Sequence, residues 1–194
     1  MQVSHPLKFA AVGLALWALV ALALSAHSRA GAGVPEAPPR PTTLVLVRHG
    51  EKDPAGDARD PGLSKAGAAR AERLAQLLEA AGVTHLFATE YHRTQDTLAP
   101  LAARVSKQVE IVPGAKTEDL LRALDALPAG SIAVVAGHSN TVPKIAEHFG
   151  VLLGGTEKSV QGPVLPETAF DRVYAITLPS RGSSGAWSLL ELRY

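Results

Sequence analysis

The sequence predicts an α/β fold, a three-layer αβα sandwich whose sheet is mostly parallel and closes with a C-terminal antiparallel hairpin. Three observations lead there. Thr43–Val47 (TLVLV) and Ser131–Ala136 (SIAVVA) are short, continuously apolar, largely β-branched runs, as strands buried on both faces require. Between such runs lie amphipathic stretches of helical length, so strand and helix alternate. Finally, Arg172–Leu178 and Trp187–Arg193 are joined only by PSRGSSGA, too short for a helical crossover, which makes that pair antiparallel.

Residues 1–30 form a targeting segment. Residues 9–26 (FAAVGLALWALVALALSA) carry no charge, Lys8 precedes them and Arg29 follows, the pattern of a secretory signal. Small residues at Ser28-Arg29-Ala30 and Ala30-Gly31-Ala32 offer cleavage sites. The run is also long enough to cross a bilayer, so the alternative is an uncleaved anchor that touches the membrane through residues 9–26. Either way the body is expected outside the cytoplasm, in a periplasmic or extracellular position. Residues 31–42 (GAGVPEAPPRPT) hold four prolines and two glycines and read as an extended linker. The folded domain is then 43–194.

Within it, strand one is Thr43–Val47, followed by a polar loop over Arg48–Leu63. Ser64 caps a helix running to about Ala81, with Ala71, Leu74, Leu77, Leu78 and Ala81 on one face and Gly82 ending it. Val83–Thr89 is strand two. Residues 92–105 are helical, and Pro100 is expected to bend or shorten that helix. Val109–Val112 is a short third strand, and Thr117–Leu127 an amphipathic helix stopped by Pro128. Ser131–Ala136 is strand four. The helix Thr141–Phe149 tolerates Pro143 because it falls in the first turn. Residues 150–168 read as irregular, and the hairpin closes the domain.

Composition narrows the function. Lys and Arg number 19 against 18 Asp and Glu, and hydrophobic residues make up 46% of 194. A near-neutral body does not suit a dedicated nucleic-acid binder. The absence of cysteine excludes disulfides, thiolate metal sites and cysteine nucleophiles. No paired ligand spacing such as HExxH suggests a metal site.

In an open α/β sheet, ligands bind beyond the carboxyl ends of the strands. After strand one comes Arg48-His49-Gly50-Glu51-Lys52, after strand two Glu90-Tyr91-His92-Arg93-Thr94, after strand three Lys116-Thr117-Glu118-Asp119, and after strand four Gly137-His138-Ser139-Asn140. Two histidines, two arginines and a carboxylate thus share one edge. Arginines offer planar forks to a tetrahedral oxyanion. The amides at the start of the helix after Asn140 add an anion site. An imidazole among such cations stays neutral and can act as a nucleophile toward phosphorus. Ser139 lacks the glycine pattern of a nucleophile elbow. His92, next to Arg93, reads as a helix-surface residue, and His85, His148, His5 and His27 as structural or solvated.

Four segments, in order, resemble the histidine phosphatase superfamily, of phosphoglycerate mutase-like fold. Val47-Arg48-His49-Gly50 resembles its RHG signature and Asp60–Gly67 (DPGLSKAG) its leucine-containing helix start. Thr89–Thr97 (TEYHRTQDT) resembles the stretch holding its second arginine, and Gly137-His138-Ser139-Asn140 the segment with its second histidine. Phe170–Leu178 (FDRVYAITL) resembles a late strand of its short bacterial members. The resemblance implies that His49 is the nucleophile, forming a phosphohistidine. Arg48, Arg93 and His138 would hold the phosphoryl oxygens, with Asn140 as a further phosphate contact. It places the acid for the leaving group after the third strand, where Glu118 stands, with Glu51, Asp53 and Asp119 as competitors. It implies neither a metal nor another cofactor.

The function expected is an exported phosphomonoester hydrolase of the histidine acid phosphatase type, acting on a small phosphorylated substrate. Hydrolysis is favoured over mutase chemistry because so short a domain leaves little room for the segments that shield a phosphoenzyme from water. The alternatives are a phosphohistidine protein phosphatase and a non-catalytic phosphate-binding protein on the same scaffold.

Overall fold

The computed structural model describes residues 2, 40–179 and 185–194. Apart from Gln2, the signal or anchor at 1–30 lies outside those residues, as does most of the linker at 31–42. Among the described residues no helix is long and apolar enough to cross a membrane. Residues 39–194 form one compact unit.

The elements follow the chain as β1 (Thr43–Arg48), α1 (Lys65–Leu78), β2 (His85–Ala88), α2 (His92–Val105), β3 (Val109–Ile111), α3 (Thr117–Asp125), β4 (Ile132–Gly137), α4 (Thr141–His148), β5 (Glu157–Ser159), β6 (Gly162–Val164), β7 (Arg172–Thr177) and β8 (Ser188–Arg193). The main sheet has the order β3-β2-β4-β1-β7-β8. β3, β2, β4 and β1 are parallel to one another, β7 runs antiparallel to β1, and β8 antiparallel to β7.

Strand alternation divides the core into two layers. Leu44 and Leu46 point to the side covered by α3 and α4, where they meet Leu121, Leu124, Ile145 and Tyr174. Val45 and Val47 point the other way, into Leu74 and Leu78 of α1 and Leu98 and Leu101 of α2. A strand buried on both faces has no polar side to show, which is why these runs lack polar residues.

Two expectations about local structure change. The segment read as irregular contains the small separate hairpin β5–β6, paired Glu157↔Val164 through Ser159↔Gly162, with Gly162 at φ +108°. Its sequence, EKSVQGPV, has neither alternation nor an apolar run to reveal it. Pro100 does not shorten α2, which continues to Val105 and ends at Ser106 in the left-handed region (φ 52°). The buried face of Thr94, Thr97, Leu98 and Leu101 holds the helix together across the missing amide.

Two close approaches lock the loop after β1 in place. Gly67, in the first turn of α1, lies so near this loop that a Cβ there would sit 2.4 Å from the Glu51 carbonyl oxygen, and one on Gly50 would sit 3.0 Å from the Gly67 carbonyl. Ser64 caps α1 by accepting from the Gly67 amide at 3.1 Å, while its own amide donates to the Glu51 carbonyl at 2.8 Å.

Candidate active site

The carboxyl ends of β1, β2 and β4 adjoin in the sheet, so the segments after them meet. The His49 amide donates to the Gly137 carbonyl at the end of β4 (3.0 Å), and the Gly50 amide donates to the Thr97 hydroxyl of α2 (2.9 Å). His49 is thereby fixed at both flanks. Its Nδ1 lies 2.7 Å from the Gly50 carbonyl. A carbonyl only accepts, so Nδ1 carries the proton, and Nε2 keeps its lone pair.

The second histidine stands beside it, with ring centroids 5.4 Å apart at 67°. His138 Nε2 lies 3.1 Å from the Thr89 hydroxyl, itself 2.8 Å from the Thr94 hydroxyl, and Thr94 donates to the Tyr91 carbonyl at 2.8 Å. The Tyr91 ring meets His138 edge-on at 5.5 Å and carries the Arg93 guanidinium over its face at 4.3 Å. Arg48 lies in the same way over Phe170, 4.2 Å from the ring centre. Each arginine has a carboxylate neighbour, Glu167 at 3.0 Å from Arg48 and Asp60 at 3.5 Å from Arg93.

Electrostatics keep both histidines uncharged. Burial lowers the His49 pKa from 6.5 to about 3, helped by His138, Arg48 and Arg93 and opposed by the Gly50 carbonyl. Burial likewise lowers His138 to about 4, with Arg93, Arg48 and Lys52 adding to the shift and Glu90 opposing it. Below pH 6.5 the unfolded chain therefore binds more protons than the folded one. The stability these histidines contribute is complete above about pH 6.5 and is lost as pH falls toward 4, by up to about 1.4 kcal/mol per pH unit for each. Thermal melts from pH 7 to 4.5 should show this fall, and His49→Asn/His138→Asn should flatten it.

The structure thus brings together His49, His138, Arg48 and Arg93. It does not bring Glu118 to them. That side chain is 67% exposed on α3 and accepts from Lys144 Nζ at 2.8 Å. Lys144, then His148 and Arg122, hold its pKa below the ordinary carboxylate value, the reverse of what a proton donor needs. The competitors are engaged as well. Glu51 is clasped by Arg70 at 2.6–3.1 Å and its pKa is lowered, Asp53 accepts from the Ala55 amide, and Asp119 pairs with Arg122. Asn140 is exposed at the start of α4 and makes no side-chain cap, while Thr141 Oγ1 accepts from the His138 amide at 2.8 Å. Among the described residues no group of three or more metal-ligating side chains gathers.

The site also gathers Tyr91, Thr89, Asp60, Phe170, Glu167 and Glu90, to which the sequence alone assigns no role. Glu90 accepts from the Gly114 amide at 2.7 Å and ties the β3–α3 turn to the site. The position of Glu90 and Tyr91, directly after β2, was the available signal for those two.

Residues 44–120 match the histidine phosphatase superfamily, branch 1. No curated protein matches the chain by sequence. Among solved structures, a protein from Agrobacterium tumefaciens described as a candidate phosphohistidine phosphatase SixA is similar, with TM-score 0.57 at 16% identity, over 78% of this chain and 98% of that one. A mycobacterial glucosyl-3-phosphoglycerate phosphatase gives TM-score 0.56 at 15% identity, over 77% and 97%. The protein histidine phosphatase SixA complexed with tungstate gives 0.55 at 16%, over 78% and 96%. At these identities the shared property is the fold. Residues 44–120 thus carry the sequence of the histidine phosphatase superfamily, within a domain of the phosphoglycerate mutase-like α/β fold.

Proposed function

We propose that this chain is a phosphomonoester hydrolase working through a phosphohistidine on His49. The observation that carries the reading is the neutral His49 ring, with Nδ1 committed to the Gly50 carbonyl and Nε2 left free beside two arginines and a second histidine. In the first step Nε2 attacks phosphorus in line, the P–O bond to the ester oxygen breaks, and the alkoxide or phenolate leaves with a proton taken from its surroundings. Arg48 and Arg93 balance the charge on the equatorial oxygens. In the second step water attacks the phosphohistidine, releasing phosphate and restoring the imidazole. Turnover of 4-nitrophenyl phosphate by the purified protein tests the reading, and vanadate should inhibit it competitively.

The state of Glu118 favours a second reading, a substrate whose leaving group needs no help from that acid. Phosphohistidine is one, since its departing imidazole is a weaker base than an alkoxide. Hydrolysis of phosphohistidine and 4-nitrophenyl phosphate, with sugar phosphates slow, would support it. Glu118→Gln should leave the rates on sugar and aryl phosphates unchanged. A selective loss on sugar phosphates would return Glu118 to the acid's role.

We further infer export, from the charge-free run at 9–26 behind Lys8. Protein recovered from the cell envelope should begin near residues 31–33 or retain the run as an anchor. An intact N-terminus in the soluble cytoplasm would defeat both versions.

A further inference from the structure

We propose that the segment Leu165–Phe170, with Glu167 at its centre, is a positioning element that presets Arg48 for the oxyanion. The inference rests on the phosphatase reading above and assigns a role to a segment that, before Phe170, no recognisable motif marks.

Arg48 is 4% exposed at the end of β1. Its Nη1 donates to the Pro166 carbonyl at 2.8 Å and to the Glu167 carbonyl at 3.1 Å, and its Nη2 donates to Glu167 Oε2 at 3.0 Å. The Phe170 ring supports the guanidinium from below and also lies 6.1 Å from the His49 ring. The segment is itself anchored. The Leu165 amide donates to the Ser139 carbonyl beside His138 at 2.8 Å, the Ala169 amide closes a turn onto the Pro166 carbonyl at 2.9 Å, and Leu165 and Ala169 sit in the core. One stretch of chain therefore touches Arg48, His49 and the strand-four loop together.

Donor arithmetic gives this clamp a purpose. A guanidinium has five N–H groups in a rigid fork. The segment occupies three of them, leaving the Nε–H and one Nη2–H. Arg48 Nε is buried with no protein partner. An unmet buried donor is costly unless a ligand meets it. Arg93 repeats the arrangement, with an aromatic face in Tyr91, a carboxylate in Asp60 and a buried Nε without a partner. Asp60, however, is held by the His92 amide at 3.0 and 3.2 Å. Glu167 is 82% exposed. Its carboxylate can therefore be removed without opening the core.

The rival reading has Glu167 competing with the phosphoryl group for Arg48. The two separate on ligand affinity. With full-length protein and 4-nitrophenyl phosphate, Glu167→Ala should lower kcat/KM roughly tenfold, mainly in kcat, because small misplacements of a catalytic fork are expensive in rate. It should weaken vanadate inhibition by a similar factor and leave the melting temperature unchanged. Glu167→Gln, which keeps an acceptor oxygen, should recover most of the loss. Tighter vanadate binding by Glu167→Ala would overturn the proposal in favour of competition, and wild-type kinetics in that variant would overturn it outright. Should the wild type hydrolyse no phosphate ester, the phosphatase reading fails. Calorimetric titration with vanadate would then still read the positioning role as weaker binding by Glu167→Ala, and unchanged binding would remove it.

Discussion

His49→Ala should reduce turnover by four orders of magnitude or more, of the order of about 10⁴–10⁶ seen when a covalent nucleophile is removed. No neighbour can replace it. The ring nitrogen that His138 turns toward the site, Nε2, is committed to the Thr89 hydroxyl at 3.1 Å. The fold should survive, because the backbone bonds of residue 49 to Gly137 and of Gly50 to Thr97 do not involve the imidazole. Rapid quenching with radiolabelled substrate, followed by mild alkaline work-up, should trap acid-labile phosphohistidine in the wild type and none in the variant. Equal labelling of both would move the nucleophile elsewhere.

Arg93→Ala should lower kcat by about 10²–10³-fold, the cost of losing one preorganised oxyanion donor. Arg93→Lys should recover little of that. The ring of Tyr91 and the carboxylate of Asp60 hold a planar group, and a single ammonium provides neither the flat face nor the side-on fork. Loss of the charge would also remove one cause of the lowered His138 pKa, so the variant should show an activity profile whose acidic limb shifts upward. A pH–rate series on the wild type and the two variants measures both effects. An Arg93→Lys enzyme as active as the wild type would reduce Arg93 to a counter-charge.

Much of this domain was legible from residue order alone, and the reasons are specific. TLVLV and SIAVVA could be nothing but doubly buried strands, and the rule that ligands meet strand carboxyl ends located His49, Arg93 and His138 without coordinates. For Glu118, position after a strand points toward the site, whereas helix phase points away from it. Leu121 and Leu124 face the core, which turns residue 118, with Arg122 four places on, toward solvent. That signal was present in the sequence. Glu167 and Phe170 are another matter. Their partner Arg48 lies about 120 residues earlier, and only the return of β7 beside β1 brings them to it.

The close packing of Gly50 and Gly67 joins the loop after β1 to the first turn of α1 with no side chain between them. A side chain on Gly67 would meet the Glu51 carbonyl at 2.4 Å and displace the loop, and one on Gly50 would press on the Gly67 carbonyl at 3.0 Å. This packing also makes α1 a lever on the nucleophile. A tilt of that helix passes directly into the loop bearing His49, where a shift of about an ångström is enough to cost a hundredfold in rate. Engineers who remodel the outer face of α1 would therefore find turnover fading while the melting curve still looked sound, and could use the enzyme's own rate as a gauge of how firmly that helix is seated.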